Sequence, residues 1–78
     1  MKYTQYFSFV RQRPDGAMIK EEWILETISN PLKTEVQTDG RIRKWGFIKD
    51  VKKYLRVILL KDGETIHNAF LDRNFKEE

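Results

Sequence analysis

Apolar residues recur along this chain with two different periods. From Ile19 to Ser29 (IKEEWILETIS), Trp23, Ile24, Thr27 and Ile28 fall at three- and four-residue spacing, with Leu25 beside them. That spacing predicts an amphipathic helix with one buried stripe. Glu21 and Glu22 lie in its first turn, where the helix dipole favours negative charge. No Ser, Thr, Asp or Asn stands at its start as a cap. Asn30-Pro31 ends it, because a residue before proline avoids the α region. A helix this short is marginal alone and must be stabilised by burying its stripe.

Beyond this helix the period changes to two. Thr34–Thr38 (TEVQT) reads as a short strand, Asp39-Gly40 as a turn and Arg41–Ile48 (RIRKWGFI) as a second strand. Lys49–Lys53 is a polar connection. Tyr54–Arg73 (YLRVILLKDGETIHNAFLDR) then reads as a β-hairpin closed at Asp62-Gly63. Asp-Gly suits a type I′ turn, which needs positive φ at both central residues. The turn sets a register in which Leu59 faces Ile66, Ile58 faces His67, Arg56 faces Ala69 and Leu55 faces Phe70. Alternation then puts Leu55, Val57, Leu59, Ile66 and Phe70 on one face, with Asn68 among them. This nearly apolar face is the expected core. Tyr54, Arg56, Ile58, Leu60, Thr65, His67 and Ala69 take the other face.

The N-terminal stretch Met1–Arg11 (MKYTQYFSFVR) fits both periods. Tyr3, Tyr6, Phe7 and Val10 match a helix, whereas Tyr3, Gln5, Phe7 and Phe9 match a strand, and aromatic enrichment tips the balance to the strand. Arg13-Pro14-Asp15-Gly16 is a turn. Residues 74–78 are expected to fray. The chain therefore reads as one α+β domain over residues 1–78. An antiparallel meander of three to four strands carries one main helix packed on one face.

Composition narrows the picture. With 78 residues, the chain is at the small end of what folds alone. It has no cysteine, so neither disulfides nor thiolate metal sites hold it together. Met1–Val10 has no unbroken apolar region of signal-peptide type, and the longest apolar run, Val57–Leu60, is far too short to span a bilayer. These features lead us to expect a cytoplasmic protein with no membrane partner. The net charge is only +3, yet it is unevenly spread. Residues 41–56 hold seven basic side chains and one acidic, a net of +6, whereas 1–40 and 57–78 are net −1 and −2. A local basic block is a footprint for phosphate, or simply a solvated loop around Lys49–Lys53.

Candidate chemistry follows from the strand faces. Arg41, Arg43, Trp45 and Phe47 share one side of their strand, and Ile42, Lys44, Gly46 and Ile48 the other. If Ile42 and Ile48 point at the helix, Arg41, Arg43 and Trp45 join Tyr54, Arg56 and His67 on the open face, with Arg73 extending it. Guanidinium forks match phosphate geometry, and aromatic rings stack on bases. In the opposite orientation Trp45 and Phe47 are core, and Lys44 pairs with Glu35 outside. His67 titrates near neutrality, so beside Arg56 it is a candidate general acid or base, the arginine stabilising phosphate charge. The plainer reading is a half-buried histidine bonded to a neighbour. Arg73, next to Asp72, either adds a further guanidinium or forms a surface ion pair. One histidine without cysteine argues against a metal site, and no cofactor-binding motif is present.

The helix ending in Asn30-Pro31, the Asp39-Gly40 turn, Arg41–Gly46 (RIRKWG) and the hairpin pattern RVI…DGETI together resemble the RelE/ParE toxin superfamily of small bacterial proteins. The similarity covers roughly residues 19–75. It implies a compact α+β domain with an antiparallel sheet. It also implies either metal-independent, ribosome-dependent cleavage of mRNA or action on DNA gyrase, with an antitoxin protein as partner. Such sites use arginines and lysines on the sheet face plus a C-terminal tyrosine or histidine. Arg41, Arg43, Arg56 and His67 are the matching positions here. The chain departs from the pattern in having one evident helix before the sheet, and no tyrosine near its C-terminus.

Three readings result. In the first, the chain is an endoribonuclease, with Arg56 and His67 catalytic and Arg41, Arg43, Trp45, Tyr54 and Arg73 holding RNA. In the second, the same basic face binds nucleic acid without cleavage. In the third, an exposed strand edge such as Thr34–Thr38 pairs with a partner. The expected assembly is a monomer or weak dimer.

Overall fold

A computed structural model describes residues 2–76 and, at residues 15 and 16, the backbone alone. Its main helix, α3 (Glu21–Ser29), carries Glu21 and Glu22 in the first turn and closes at Asn30, whose N–H reaches the Glu26 carbonyl at 2.8 Å. Lys20 occupies the N-cap without a side-chain bond, as the lack of a capping residue implied. Ile24 and Thr27 are buried, with Trp23 and Ile28 packed beside them. The Thr27 hydroxyl donates to the Trp23 carbonyl at 2.9 Å, so its burial strands no polar group.

Four strands follow: β1 (Lys33–Val36), β2 (Ile42–Ile48), β3 (Lys53–Leu59) and β4 (Ile66–Leu71). They form an antiparallel meander in the order β1-β2-β3-β4. The helix covers the face bearing Ile42, Lys44, Gly46 and Ile48. Gly46 is where sheet and helix come closest: a Cβ there would lie 2.7 Å from Thr27 Oγ1. Lys44 is tolerated on this covered face because its Nζ donates to the Ile28 carbonyl at 3.1 Å. A cation there also answers the negative end of the helix dipole. Trp45 therefore lies on the side away from α3.

The β3–β4 pairing departs from the expected register. Leu59 faces Ile66 as expected, but Ile58 faces Asn68 rather than His67. His67 is the extra residue of a β-bulge, and beyond it every side chain changes face. Ala69, only 2% exposed, and Leu71 turn to the core, whereas Asn68 and Phe70 turn away from it. Regular pairing would have pressed the Asn68 amide into an apolar layer, at a cost of several kcal/mol on the order of an unpaired polar group. With the bulge, Asn68 Oδ1 accepts from the Ala69 N–H at 2.9 Å instead.

The N-terminal stretch uses both of its periods. Tyr3 forms a parallel bridge to Ile66, held by Thr4 N–H to Ile66 O and Ile66 N–H to Lys2 O, each 2.9 Å. The chain then turns into α1 (Gln5–Val10), capped by Thr4 Oγ1, which accepts from the Phe7 N–H at 3.1 Å. Helical spacing prevails over the expected strand because it drops Phe7 into the core while Thr4 satisfies a terminal donor. Proline at the first position of α2 (Pro14–Ala17) converts the expected turn into a single helical turn. The tail expected to fray is held at Phe75, which stacks on Trp45. Residues 1, 77 and 78 lie outside the described residues.

Candidate nucleic-acid interface

The open face of the sheet is organised by Asp72. Its Oδ2 accepts from Trp45 Nε1 at 3.0 Å and from Arg56 Nε and Nη2 at 3.0 and 2.6 Å. Its Oδ1 accepts from the Asn74 N–H at 3.0 Å, and the carboxylate residue is only 8% exposed. Burial alone would raise its pKa. The bonds from Trp45, Arg56 and Asn74, with the arginine's charge, outweigh that and hold it below the usual 3.8. The Arg56 guanidinium lies over the Trp45 and Phe70 rings, at 5.4 and 5.0 Å from their centroids. Phe75 covers Trp45 at 5.2 Å and meets Tyr54 edge-on at 5.0 Å, while Tyr54 meets Phe47 at 5.3 Å. Trp45 is thus on the open side yet 5% exposed. Sequence reading placed Asp72 on the surface because nothing local marks it as the acceptor of three side-chain donors from two other strands.

The remaining arginines of this face are also engaged. Arg43 Nη1 lies 3.4 Å from Glu35 Oε1, and the Gln37 side-chain oxygen accepts from its Nε and Nη2. Arg41 Nε lies 3.7 Å from Asp39 Oδ2. Both acids precede their arginines across one turn, and each of the three arginines in the basic block has an acidic partner.

His67 stands apart from Arg56. The bulge places Phe70, not Ala69, opposite Arg56, and His67 lies three residues before Phe70 in β4. The Thr4 hydroxyl lies 3.3 Å from Nδ1, and Tyr6 stacks on the imidazole at 5.1 Å. Burial, then the nearby Arg41 charge, lowers its pKa below 6.5, which favours the neutral ring.

A second basic site forms where sequence reading did not seek one. A groove of about 470 Å³ runs between the β4 edge, α1 and the residues flanking α2. Among the described residues its charged lining consists of Arg13, Lys53 and Arg73, interleaved with Tyr6 and Phe70. The Asp72 N–H donates to the Tyr54 carbonyl at 2.8 Å, extending the β3–β4 ladder one step beyond Leu55–Leu71, and Lys53 and Arg73 both line the groove at this end. A cleft lined by charges of one sign attracts counter-ions. None of the three cations has an ion-pair partner among the described residues. Arg73 was among the sequence candidates, and Lys53 belonged to the basic block. Arg13 was hidden because it lies forty residues from Lys53 in the chain.

Among the described residues no helix is long and apolar enough to cross a membrane. Nor do three or more His, Cys, Asp or Glu side chains come together to hold a metal ion. Comparison with protein-family models, with curated proteins and with solved structures gives no match to this chain. The RelE/ParE resemblance therefore rests on the sequence pattern alone.

Proposed function

We propose that this chain is a binding module for single-stranded nucleic acid, with RNA its ligand, and that it binds without cleaving. The observation that carries this is the groove whose charged lining, Arg13, Lys53 and Arg73, is among the described residues wholly cationic and without ion-pair partners, beside Tyr6 and Phe70. Cations that follow a backbone, with aromatic rings for the bases, are what a single strand requires. Cleavage of RNA would need a guanidinium free to meet the scissile phosphate and a base aligned with it. Arg56 is instead committed to Asp72, and His67 is flanked by Thr4 and Tyr6. The toxin-like reading, with ribosome and antitoxin as partners, is the alternative that the same assay separates.

The test is fluorescence anisotropy with a labelled single-stranded RNA of mixed sequence, followed by gel analysis of the RNA. Replacing Arg13, Lys53 and Arg73 together by alanine should weaken binding on the order of tenfold or more. Replacing Arg41 and Arg43 should have a much smaller effect. Unchanged affinity in the triple variant would remove the groove from the account. Cleavage abolished by His67→Ala would favour the endoribonuclease.

A further inference from the structure

β1 is an outer strand, and all four of its residues are exposed. Two aliphatic side chains bracket it: Leu32 is 46% exposed and Val36 67%. Lys33 lies opposite Trp45 and Glu35 opposite Arg43, so both charged side chains are on the open face. Thr34 and Val36 lie opposite Lys44 and Ile42, on the helix side. The backbone phase is also fixed. Gln37 N–H donates to the Arg41 carbonyl at 2.7 Å. Because antiparallel bonds alternate, Lys33 and Glu35 turn their backbone groups toward β2, and Thr34 and Val36 turn theirs outward.

We propose that this edge docks a second copy of the same chain, β1 against β1, antiparallel about a twofold axis through Thr34. The segment Leu32-Lys33-Thr34-Glu35-Val36 has the same chemistry read from either end: apolar, charged, threonine, oppositely charged, apolar. Under that axis Lys33 meets Glu35 of the second copy, and Glu35 meets its Lys33. The two Thr34 residues exchange outward backbone bonds at the centre, while the Leu32 N–H stays on the Trp45 carbonyl at 2.7 Å and Leu32 lies outside the paired segment. Opposite charges and paired threonines are each favourable across strands. Neighbouring registers fail. An axis through Lys33 or Glu35 sets like charges directly opposite, and a one-residue slip pairs outward with inward backbone groups. The charges that protect this edge from unrelated strands thus admit its own copy.

The contact is small. Two edges this short bury well below the roughly 1,200 Å² of a stable interface, so the dimer is weak and concentration-dependent. The twofold axis makes this interface isologous, joining two four-stranded sheets into one of eight. The groove at β4, on the opposite edge, stays open in both copies, so this association stands independently of nucleic-acid binding.

Sedimentation equilibrium of the full chain up to about 1 mM tests the proposal, at the concentrations a sub-standard interface demands. Lys33→Glu and Glu35→Lys are exposed changes on β1, and circular dichroism confirms that each variant folds. Either variant alone should self-associate roughly tenfold more weakly than the parent, because like charges then face each other across the axis. An equimolar mixture of the two should associate again, since every cross-strand pair is then opposite in sign. A parent that stays monomeric throughout, single variants that dimerise like the parent, or a mixture that stays monomeric would each overturn the proposal.

Discussion

Asp72→Ala should be among the most damaging single substitutions in this chain. It removes the acceptor of the Trp45 indole N–H, of two Arg56 bonds and of the Asn74 N–H. The indole N–H would be left buried and unpaired, which costs about 1–3 kcal/mol. Breaking a fully buried ion pair costs about 3–5 kcal/mol, but the Arg56 side chain is 25% exposed and water can reach it. Together we expect a loss of about 2–4 kcal/mol. That is a large share of the roughly 4–12 kcal/mol typical for a domain of this size. Urea denaturation followed by circular dichroism should show a midpoint lowered by about 2–4 M, taking a slope near 1 kcal/mol/M. A double-mutant cycle with Arg56→Met should give a coupling of about 1–3 kcal/mol. The acid limb gives an independent check. Because the Asp72 pKa is held below 3.8, its stabilisation is full above that value and is lost as pH falls through the folded pKa. The variant should therefore lose less stability than the parent on acidification below pH 4. A loss under about 0.5 kcal/mol, with an unchanged acid limb, would mean that Asp72 is no more than a surface partner.

Three further outcomes are expected. Gly46→Ala should cost about 1–3 kcal/mol, because the new methyl would meet Thr27 Oγ1 at 2.7 Å and force sheet and helix apart; an unchanged urea midpoint would contradict that packing. Lys52 has a φ of 53°, so Lys52→Gly should raise stability by up to about 1 kcal/mol, whereas a clear loss would show that the lysine side chain compensates its strained backbone. The His67 imidazole should titrate below 6.5 by NMR, and Thr4→Ala with Tyr6→Ala should move it upward; since the folded pKa is depressed, His67 costs the fold stability as pH falls from 6.5 through that pKa, and a midpoint above 6.5 would refute its environment.

The α+β meander was legible because its signals are local. The stripe at Trp23, Ile24, Thr27 and Ile28, the Asn30-Pro31 stop and the reversals at Asp39-Gly40 and Asp62-Gly63 each depend on a few consecutive residues, though at Asp62-Gly63 only the glycine takes a positive φ, so the turn is not the expected type I′. Even the side of the sheet covered by α3 could be posed as a choice, since Ile42 and Ile48 alternate with Trp45. The bulge at His67 was not legible, because it answers a three-dimensional problem: where to put Asn68 when Leu59 and Ile66 are already paired. That single extra residue parted the imidazole from Arg56. The pairings of Arg56 with Asp72 and of Arg43 with Glu35 likewise depend on strand register, which composition does not contain. The basic block held Lys53 but not the other two cations of the groove. That groove emerges only when Arg13 before α2, Lys53 at the start of β3 and Arg73 after β4 are brought together.

The most direct test of the nucleic-acid reading is the salt dependence of RNA binding. If three cations each displace one counterion from a single strand, log K should fall against log salt with a slope of about −2. Affinity would then drop by about twentyfold between 50 and 200 mM salt. The Arg13, Lys53 and Arg73 triple-alanine variant should lose most of that slope. A slope near zero in the parent, or the full slope retained in the triple variant, would contradict the account.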